Sequence, residues 1–385
     1  MADLIGFLDD TDEGRWSTLI VGEDQSDKFT QITHDLNHEP SPTGDGKRFA
    51  SGSSYWGVES TMAWIQACTD LYYPVMRQSI SSFQQRLAEV SDALGTQPYH
   101  YVSLGTGTGE KDNAVLRRLS RGRPPHPVRF IPVDISAEML RHGARTALRE
   151  TKVRRRDTIP VQMDFSTPRA LKALRHIADR ITGDTPVVYS LLGNTLANFD
   201  DDLSRLTAMA TELLRPQDRF LLEVATTDRI DQRTALRAAF EYQNSPRFHE
   251  FVTSAIMHYT DLQIHNRSVE YQGEVDDERA LKIKILYRNN TGQVLRPMLP
   301  NRTTFDFPDG DTIRLLTTRK YAPQPLADLI TQAGLTEIAH CAYEPDDDGD
   351  TSADRAHFGL RLALLKATDP HHTATGPGTV PNPFA

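Results

Sequence analysis

The sequence predicts an α/β fold, in which helices cover a doubly wound parallel sheet, together with a second, α+β domain. From Tyr99 to Ala225, short apolar runs alternate with longer amphipathic stretches, which is the pattern of β-α units on a parallel sheet. After Asp228 the pattern changes to helical segments and then to strand-like runs separated by turn residues. A chain of 385 residues with 38% hydrophobic residues is long enough for a large core and two lobes.

The strands of the parallel sheet are expected where short apolar runs are bounded by polar or turn residues. These runs lie at 99–104, 128–133, 159–163, 186–192 and 219–224. Between them, helices are predicted to begin near Glu110, Ser136, Thr167 and Asp200. Ser136 and Asp200 carry short oxygen-bearing side chains, which are well suited to cap the free amides at a helix start.

The segments that flank this sheet have different compositions. Residues 1 to about 50 are polar and broken by Gly and Pro, which predicts a loosely structured arm, with the ordered protein beginning near Tyr55 and a helical segment at 57–95. Helical material is expected up to about 266, followed by strand-like runs at 280–287 and 303–307, a helix at 322–334, and strands at 335–343 and 356–365. The predicted organisation is an arm and helical part of the second domain at 1–74, the α/β domain at 75–227, an inserted hairpin-rich domain at 228–319, a return to the α/β domain at 320–367, and a disordered tail at 368–385 rich in Pro, Gly and Thr.

Charge and composition restrict the partners. The net charge of -9 argues against nucleic acid, which is bound by clustered Lys and Arg, and the basic run 152–156 is interpreted as a solvated loop. A small-molecule partner fits better. No apolar window is long enough to span a bilayer and the amino terminus lacks a leader pattern, so no membrane partner is expected and the cytoplasm is the expected location.

No metal site is predicted. The cysteines, Cys68 and Cys341, lie far apart with no second ligand pair nearby, so neither a disulfide framework nor a zinc site is indicated. The acidic segment 344–350 has some similarity to a calcium loop. Arg355 stands where the closing glutamate of such a loop would be, so the segment is interpreted as a solvated turn.

A glycine loop follows the first strand of the sheet directly. Residues 101–104 run into Gly105-Thr106-Gly107-Thr108-Gly109, where missing side chains allow a ligand to approach the backbone. The dinucleotide fingerprint requires a glycine at the sixth position, which is Glu110 here. A G-x-G-x-G spacing suits S-adenosylmethionine (SAM), which has no pyrophosphate. Taken alone, the loop is equally compatible with a structural turn.

Carboxylates at the ends of the next two strands strengthen the SAM interpretation. Asp134 ends the second strand, where it can accept the hydroxyls of a ribose, and Asp164-Phe165 ends the third, offering an acid for an adenine amino group and a ring for the base. Each acid alone could be a helix cap, but three strands that end suitably in order predict a SAM site. After the fourth strand, the segment 193–198 lies where a substrate could meet the methyl group, although Asn194 and Asn198 could instead organise a turn.

With these motifs assembled, the chain resembles, over about 55–365, the histidine-specific Nα-methyltransferases, SAM enzymes that trimethylate histidine on the ergothioneine route. The matching motifs are Gly105 to Lys111, Pro132 to Ser136, Asp164-Phe165 and Gly193 to Asn198. The resemblance implies a class I methyltransferase fold, Rossmann-like, with an antiparallel hairpin closing the sheet and the second domain binding substrate. It implies SAM contacts from Gly105, Thr106, Gly107, Lys111, Asp134, Asp164, Phe165 and Gly193.

The resemblance also implies residues for the substrate. Asn198 and Tyr72 would hold the α-amino and carboxylate groups of an amino acid, and Tyr55 stands at the spacing of a second substrate tyrosine. Tyr55 and Tyr72 would accept or relay the proton of the amine while Asn198 fixes its lone pair, so these three residues are the predicted catalytic group. Half-buried packing is the alternative for Tyr55.

One difference from the family bears on the substrate. Its histidine-specific members carry a glutamate and, two residues later, a serine, just before a Lys-aromatic pair. The glutamate and the serine recognise the imidazole of histidine. The corresponding residues here are Leu316 and Thr318, ahead of Lys320-Tyr321. Leucine cannot accept a hydrogen bond from an imidazole. The sequence therefore predicts N-methylation of an amino acid, or of a small molecule derived from one, other than histidine. The alternatives are an O- or C-methyltransferase of a specialised metabolite, an oxidoreductase with NAD on the glycine loop, and a SAM-binding module without catalysis.

Overall fold

A computed structural model describes residues 18–21, 25–71, 74–121, 127–343 and 357–368. Its strands are β1 (Leu19–Ile20), β2 (His100–Leu104), β3 (Phe130–Asp134), β4 (Val161–Gln162), β5 (Val187–Leu191), β6 (Arg219–Thr227), β7 (Val269–Asp276), β8 (Ala280–Arg288), β9 (Thr312–Tyr321), β10 (Leu335–Tyr343) and β11 (Phe358–Ala367). Its α-helices are α1 (Gln25–Leu36), α2 (Ser51–Ser54), α3 (Val58–Cys68), α4 (Pro74–Ser81), α5 (Phe83–Ser91), α6 (Glu110–Leu119), α7 (Ala137–Ala147), α8 (Pro168–Thr182), α9 (Asp202–Glu212), α10 (Gln232–Gln243), α11 (Pro246–Tyr259) and α12 (Pro323–Gln332).

The parallel part of the sheet has the strand order β4-β3-β2-β5-β6. The chain moves from β2 outward to β4 and then crosses to the other side of β2, so the order reverses between β2 and β5, a position where α/β sheets commonly bind ligands. Strand β11 is antiparallel to β6 and pairs with β10. This is the arrangement expected of a class I methyltransferase, and it confirms the predicted α/β fold.

The parallel strands are buried on both faces because helices cover both sides of the sheet. On β2, Val102 and Leu104 belong to a cluster that contains residues of α8, α9 and α12, whereas Tyr101 belongs to a cluster that contains residues of α5 and α6. Successive side chains of a strand point to opposite faces, so β2, β3, β5 and β6 each contribute to both clusters. Burying each large aliphatic side chain contributes roughly 1.5–3 kcal/mol.

Helices begin where the sequence predicted at Ser136 and Thr167. The Ser136 hydroxyl accepts from the Met139 amide at the start of α7, and the Thr167 hydroxyl accepts from the Ala170 amide at the start of α8. The predicted cap at Asp200 is wrong by one residue, because the Asp201 carboxylate accepts from the Ser204 amide at the start of α9. Asp200 instead binds an arginine of β9.

The part of the chain that follows β6 extends the same sheet. Thr226 of β6 pairs in parallel with Tyr321 of β9, and β8 and β7 follow as antiparallel strands. Helices α10 and α11 pack against these strands through a separate hydrophobic cluster. The strand expected at 303–307 is wrong, since Phe307 and Thr304 take part in isolated bridges. The regular ladder instead uses β7 and β9, which the apolar pattern did not single out.

The amino-terminal segment is ordered where the structure describes it, so the prediction of a loose arm up to residue 50 is wrong there, as is an ordered start near Tyr55. Helix α1 places Ile32 and Leu36 in the same cluster as α10 and α11, and β1 pairs with β4. The expected tail beyond Thr368, the acidic segment 344–350 and Tyr72 lie outside the described residues. Within the described ranges, no helix combines the length and the apolar character needed to cross a membrane.

Candidate active site

A cavity of about 970 Å³ lies at the carboxyl ends of the parallel strands. The loops that follow β2, β3, β4 and β5 all line it, because the carboxyl ends of parallel strands meet at one edge of the sheet. Its volume is at the upper end of the range for small-molecule sites. Its outer wall comes from α1, α2 and the chain between them.

The glycine loop turns tightly beneath this cavity. The Gly105 amide donates to the Val133 carbonyl over 2.8 Å, which joins the loop to the neighbouring strand. Gly107 has a φ of +54°, and no described atom lies within 4 Å of the position that a Cβ would take. At Gly109, by contrast, a Cβ would lie 2.2 Å from the Gly143 carbonyl oxygen, because α7 packs directly on the loop. The loop therefore needs glycine for close packing at one position and leaves open space at another.

Asp134 is the buried carboxylate at the end of β3. The Ser136 amide donates to its Oδ1 over 3.0 Å. Burial raises the pKa of Asp134 to about 6, although the backbone amides of Ser136 and the glycine loop oppose this shift. At neutral pH the side chain is therefore ionised. The carboxylate of Asp134 lines the cavity, where it could accept hydrogen bonds from the hydroxyl groups of a ligand.

Asp164 and Phe165 follow β4 at the other side of the glycine loop. The Ser166 amide donates to Asp164 Oδ1 over 2.9 Å, and the Lys28 ammonium of α1 pairs with Oδ2. Burial alone would raise the pKa of Asp164, but the charge and hydrogen bond of Lys28, together with the hydrogen bonds of Ser166, outweigh burial and hold that pKa below its usual value. The Phe165 ring reaches to 3.8 Å from the Cβ position of Gly105. An acid and an aromatic ring thus lie beside the glycine loop.

Glu223, in the middle of β6, contacts two predicted site residues and was not itself predicted from the sequence. Its fully buried carboxylate accepts from Arg86 Nη2 over 2.7 Å, from the Gly193 amide over 2.7 Å and from the Ser79 hydroxyl over 3.2 Å, and it pairs with the Lys111 ammonium. Burial would raise the pKa of Glu223, but the two cations outweigh burial and lower it. The sequence signal that could have revealed Glu223 is an acidic residue within an otherwise apolar strand. Glu223 thereby links Lys111 and Gly193, both predicted SAM contacts, beneath the cavity.

The two asparagines after β5 differ in role. Asn194 is buried with a φ of +65°, donates to Thr318 Oγ1 and accepts from the Ala225 amide, so it organises the turn. Asn198 lines the cavity, and its Nδ2 donates to the Tyr55 hydroxyl over 3.4 Å. The structure therefore brings together the predicted pair Tyr55 and Asn198. Tyr72, the third predicted member, lies outside the described residues.

The surroundings of Tyr55 are aromatic. Its ring lies 5.3 Å from Trp64 and 5.0 Å from Phe251 between centroids. Burial raises the pKa of Tyr55 well above its ordinary value, with smaller contributions from Cys68 and Asp134. Its hydroxyl is therefore protonated at neutral pH, which favours a hydrogen-bonding role over a role as an anionic base.

Strand β9 presents residues to the cavity other than those expected. Leu316 and Thr318, which were predicted to face a substrate, are not among the described residues that line the cavity, and Leu316 packs in the hydrophobic cluster of α10 and α11. Arg314 and Thr317 line the cavity instead. The ladder has a bulge at Leu315, since Ile285 pairs with residue 316 and Leu286 with residue 314. One extra residue reverses the alternation of side chains beyond it.

The groups around the cavity fit SAM as a ligand. Open backbone at Gly107 accommodates a close ligand, the buried Asp134 carboxylate suits hydroxyl groups, and Asp164 with Phe165 offers an acceptor and a ring for a purine. The loops that carry these groups meet where the strand order reverses.

Methyltransferases are among the solved structures that this chain is similar to. A SAM-dependent methyltransferase from Clostridium acetobutylicum is 12% identical, with 78% of this chain and 97% of that chain covered and a TM-score of 0.37. The glycopeptide N-methyltransferase MtfA with bound SAM is 14% identical over 74% of this chain and 93% of that one, with a TM-score of 0.33. The 1,6-didemethyltoxoflavin-N1-methyltransferase from Burkholderia thailandensis is 12% identical, with 83% of this chain and 92% of that chain covered and a TM-score of 0.37. No curated protein matches the sequence.

The family comparison is decisive. The family model described as histidine-specific methyltransferase, SAM-dependent, matches residues 59–350, which is more than half of the chain. The matched range contains the glycine loop, Asp134, Asp164 and Asn198. The chain therefore belongs to the family of histidine-specific, SAM-dependent methyltransferases.

Proposed function

We propose that this SAM-dependent methyltransferase methylates the amino nitrogen of an amino acid, or of a small molecule derived from one, other than histidine. The observation that carries the proposal is the hydrogen bond between Asn198 and Tyr55, which lies in the cavity next to the loop of Gly193. An amide and a protonated phenol at this position offer both donors and acceptors to an amine.

The cofactor is proposed to lie along the carboxyl edge of the sheet. The backbone of Gly105, Thr106 and Gly107 would contact its centre, Asp134 would accept the ribose hydroxyls, and Asp164 with Phe165 would bind the adenine. Lys111 and Gly193, which Glu223 holds in place, would lie towards the methionine end. When bound, SAM supplies an electrophilic methyl group.

The side chains around the amine supply alignment. An amine must lose its proton before its lone pair can attack, and Asn198 and Tyr55 are placed to hold the neutral amine in one orientation. Because the raised pKa keeps the Tyr55 hydroxyl protonated, this residue accepts a hydrogen bond from the amine or passes a proton on, and the proton finally reaches solvent. Positioning and the exclusion of water provide most of the rate.

The substrate end of the cavity supports a side chain less polar than imidazole. Beside Tyr55 and Trp64, the cavity is lined by Cys68, Met76 and Ile80, whose side chains are apolar or weakly polar. The nearby carboxylates are engaged by arginines: Arg314 binds both oxygens of Asp200, at 2.6 and 2.8 Å. A charged side chain that could recognise an imidazole is therefore not the main feature of the substrate end of the cavity.

Histidine is the second candidate substrate, because the family that the chain belongs to is described as histidine-specific. The absence of Leu316 from the cavity wall also removes the argument from leucine against histidine. What favours another substrate is the lining of the cavity itself.

The test is mass spectrometry of SAM reactions against a panel of amino acids and their derivatives, histidine included. The proposal expects a methylated nitrogen on a substrate other than histidine, with turnover reduced at least about ten-fold in Tyr55→Phe and Asn198→Ala. The matched control is Tyr259→Phe, since the Tyr259 hydroxyl donates to the Trp56 carbonyl over 3.2 Å. Efficient histidine methylation, or a methyl group on oxygen or carbon, would contradict the proposed reaction.

A further inference from the structure

The outer wall of the cavity comes from a segment that precedes the family-matched region 59–350. The described residues among 19–21 and 25–55 contribute Ile20, Val21, Lys28, Gln31, Gly52 and Tyr55 to the lining. The cavity is thus completed by a part of the chain outside the residues that the family model matches.

This amino-terminal wall is attached to the sheet at both ends. At its start, the Leu19 amide donates to the Pro160 carbonyl and the Val21 amide donates to the Gln162 carbonyl, each over 2.9 Å. Strand β1 thereby extends the sheet beside β4, the strand that leads into Asp164. Near its end, the Phe49 amide donates to the Arg314 carbonyl over 2.7 Å. Both attachments use backbone groups, so the wall has a defined position.

Two residues of the wall meet Asp164. The Lys28 ammonium pairs with Asp164 Oδ2, and the two side chains are 20% and 32% exposed. A Cβ added to Gly52 would lie 4.0 Å from the same oxygen. With the Ser166 amide on Oδ1, the carboxylate is held from opposite sides. A carboxylate has about four acceptor positions, so these contacts leave room for a further donor.

We propose that Lys28 is a positioning residue for the cofactor, which holds the Asp164 carboxylate ionised and oriented to accept the 6-amino group of adenine. The inference rests on the proposed binding of adenine at Asp164. It adds a part of the adenine site that comes from α1, ahead of the matched region. Lys28 acts through Asp164, and its substitution therefore changes the recognition of the base as well as the affinity.

The experiment compares two ligands by calorimetry: S-adenosylhomocysteine, and its analogue in which a 6-oxo group replaces the 6-amino group. The variants are Lys28→Met, which keeps the length of the side chain and removes its charge, Lys28→Arg and Asp164→Asn. The control is Lys172→Met, an exposed lysine on α8. Melting temperatures are measured for every variant.

Lys28→Met is expected to weaken S-adenosylhomocysteine binding about five-fold, the upper range for a partly exposed ion pair. It is also expected to reduce the preference for the amino over the oxo ligand. Lys28→Arg retains both properties, Lys172→Met changes neither, and Asp164→Asn abolishes the preference. A loss of affinity in Lys28→Met with an unchanged preference would assign Lys28 a structural role and overturn the inference.

The outcomes separate the inference from the proposed function. If Asp164→Asn changes the preference and Lys28→Met does not, the adenine site stands and the role of Lys28 fails. If neither variant changes the preference, the placement of adenine at Asp164 is itself wrong.

Discussion

Gly107→Ala separates the cost of backbone strain from the cost of filling the cofactor site. With a φ of +54°, an alanine at this position destabilises the fold by about 1 kcal/mol. No described atom lies within 4 Å of the new Cβ, so no clash within the protein adds to this cost. Gly107 lines the cavity, however, and the methyl group would occupy space that the cofactor is proposed to use. Overpacking of this kind costs about 1–3 kcal/mol, roughly a 5- to 150-fold loss of SAM affinity.

The matched control is Gly334→Ala. Gly334 follows α12 with a φ of +77°, and no described atom lies within 4 Å of its Cβ position, but it is not among the described residues that line the cavity. Both variants are expected to lower the melting temperature to a similar extent. Calorimetric titration with SAM is then expected to show weaker binding in Gly107→Ala alone.

Unchanged SAM affinities in both alanine variants would refute the reasoning, because they would show that the open space at Gly107 is not occupied by the cofactor. Equal losses of affinity in both variants would also refute it, since the loss would then follow stability rather than position.

Three further results are expected. Burial raises the pKa of Asp134 from 3.8 to about 6, so its carboxylate becomes protonated, and loses acceptor capacity, as the pH falls through about 6. The affinity for SAM, measured against pH, should therefore decline there. Asp134→Asn should flatten this pH profile. Glu223→Gln leaves Arg86 and Lys111 as buried cations without their anion, and should lower the free energy of unfolding in urea by about 3–5 kcal/mol; a change below about 1 kcal/mol would contradict the network. Leu316→Glu places a carboxylate in an apolar cluster and should destabilise the protein by at least about 3 kcal/mol; a stable variant with improved histidine binding would show instead that residue 316 faces the substrate.

The cofactor end of the site could be predicted from the sequence because it depends on local signals at strand ends. Gly105, Asp134 and Asp164 each follow a short apolar run directly, and parallel strands bring their carboxyl ends to one edge. The order of these signals along the chain was therefore sufficient to group them, without knowledge of any long-range contact.

The substrate end could not be predicted to the same depth. Every residue of β9 is buried, so the pattern along the strand does not show which of its faces meets the cavity. Adjacent residues of a strand face opposite sides, and Thr317 lines the cavity where residues 316 and 318 were expected. Which face is turned to the cavity depends on how β9 packs against distant elements.

By itself, the sequence determined the α/β fold, the class of cofactor and the loops that meet at the cavity, because periodicity and strand-end residues act over short distances. The tertiary structure decided which distant groups meet: Lys28 with Asp164, and Arg86 and Lys111 with Glu223. It also decided that a polar segment at the amino terminus forms a wall of the cavity. These contacts join residues separated by more than 100 positions, and such pairings depend on how the elements pack rather than on any pattern along the chain.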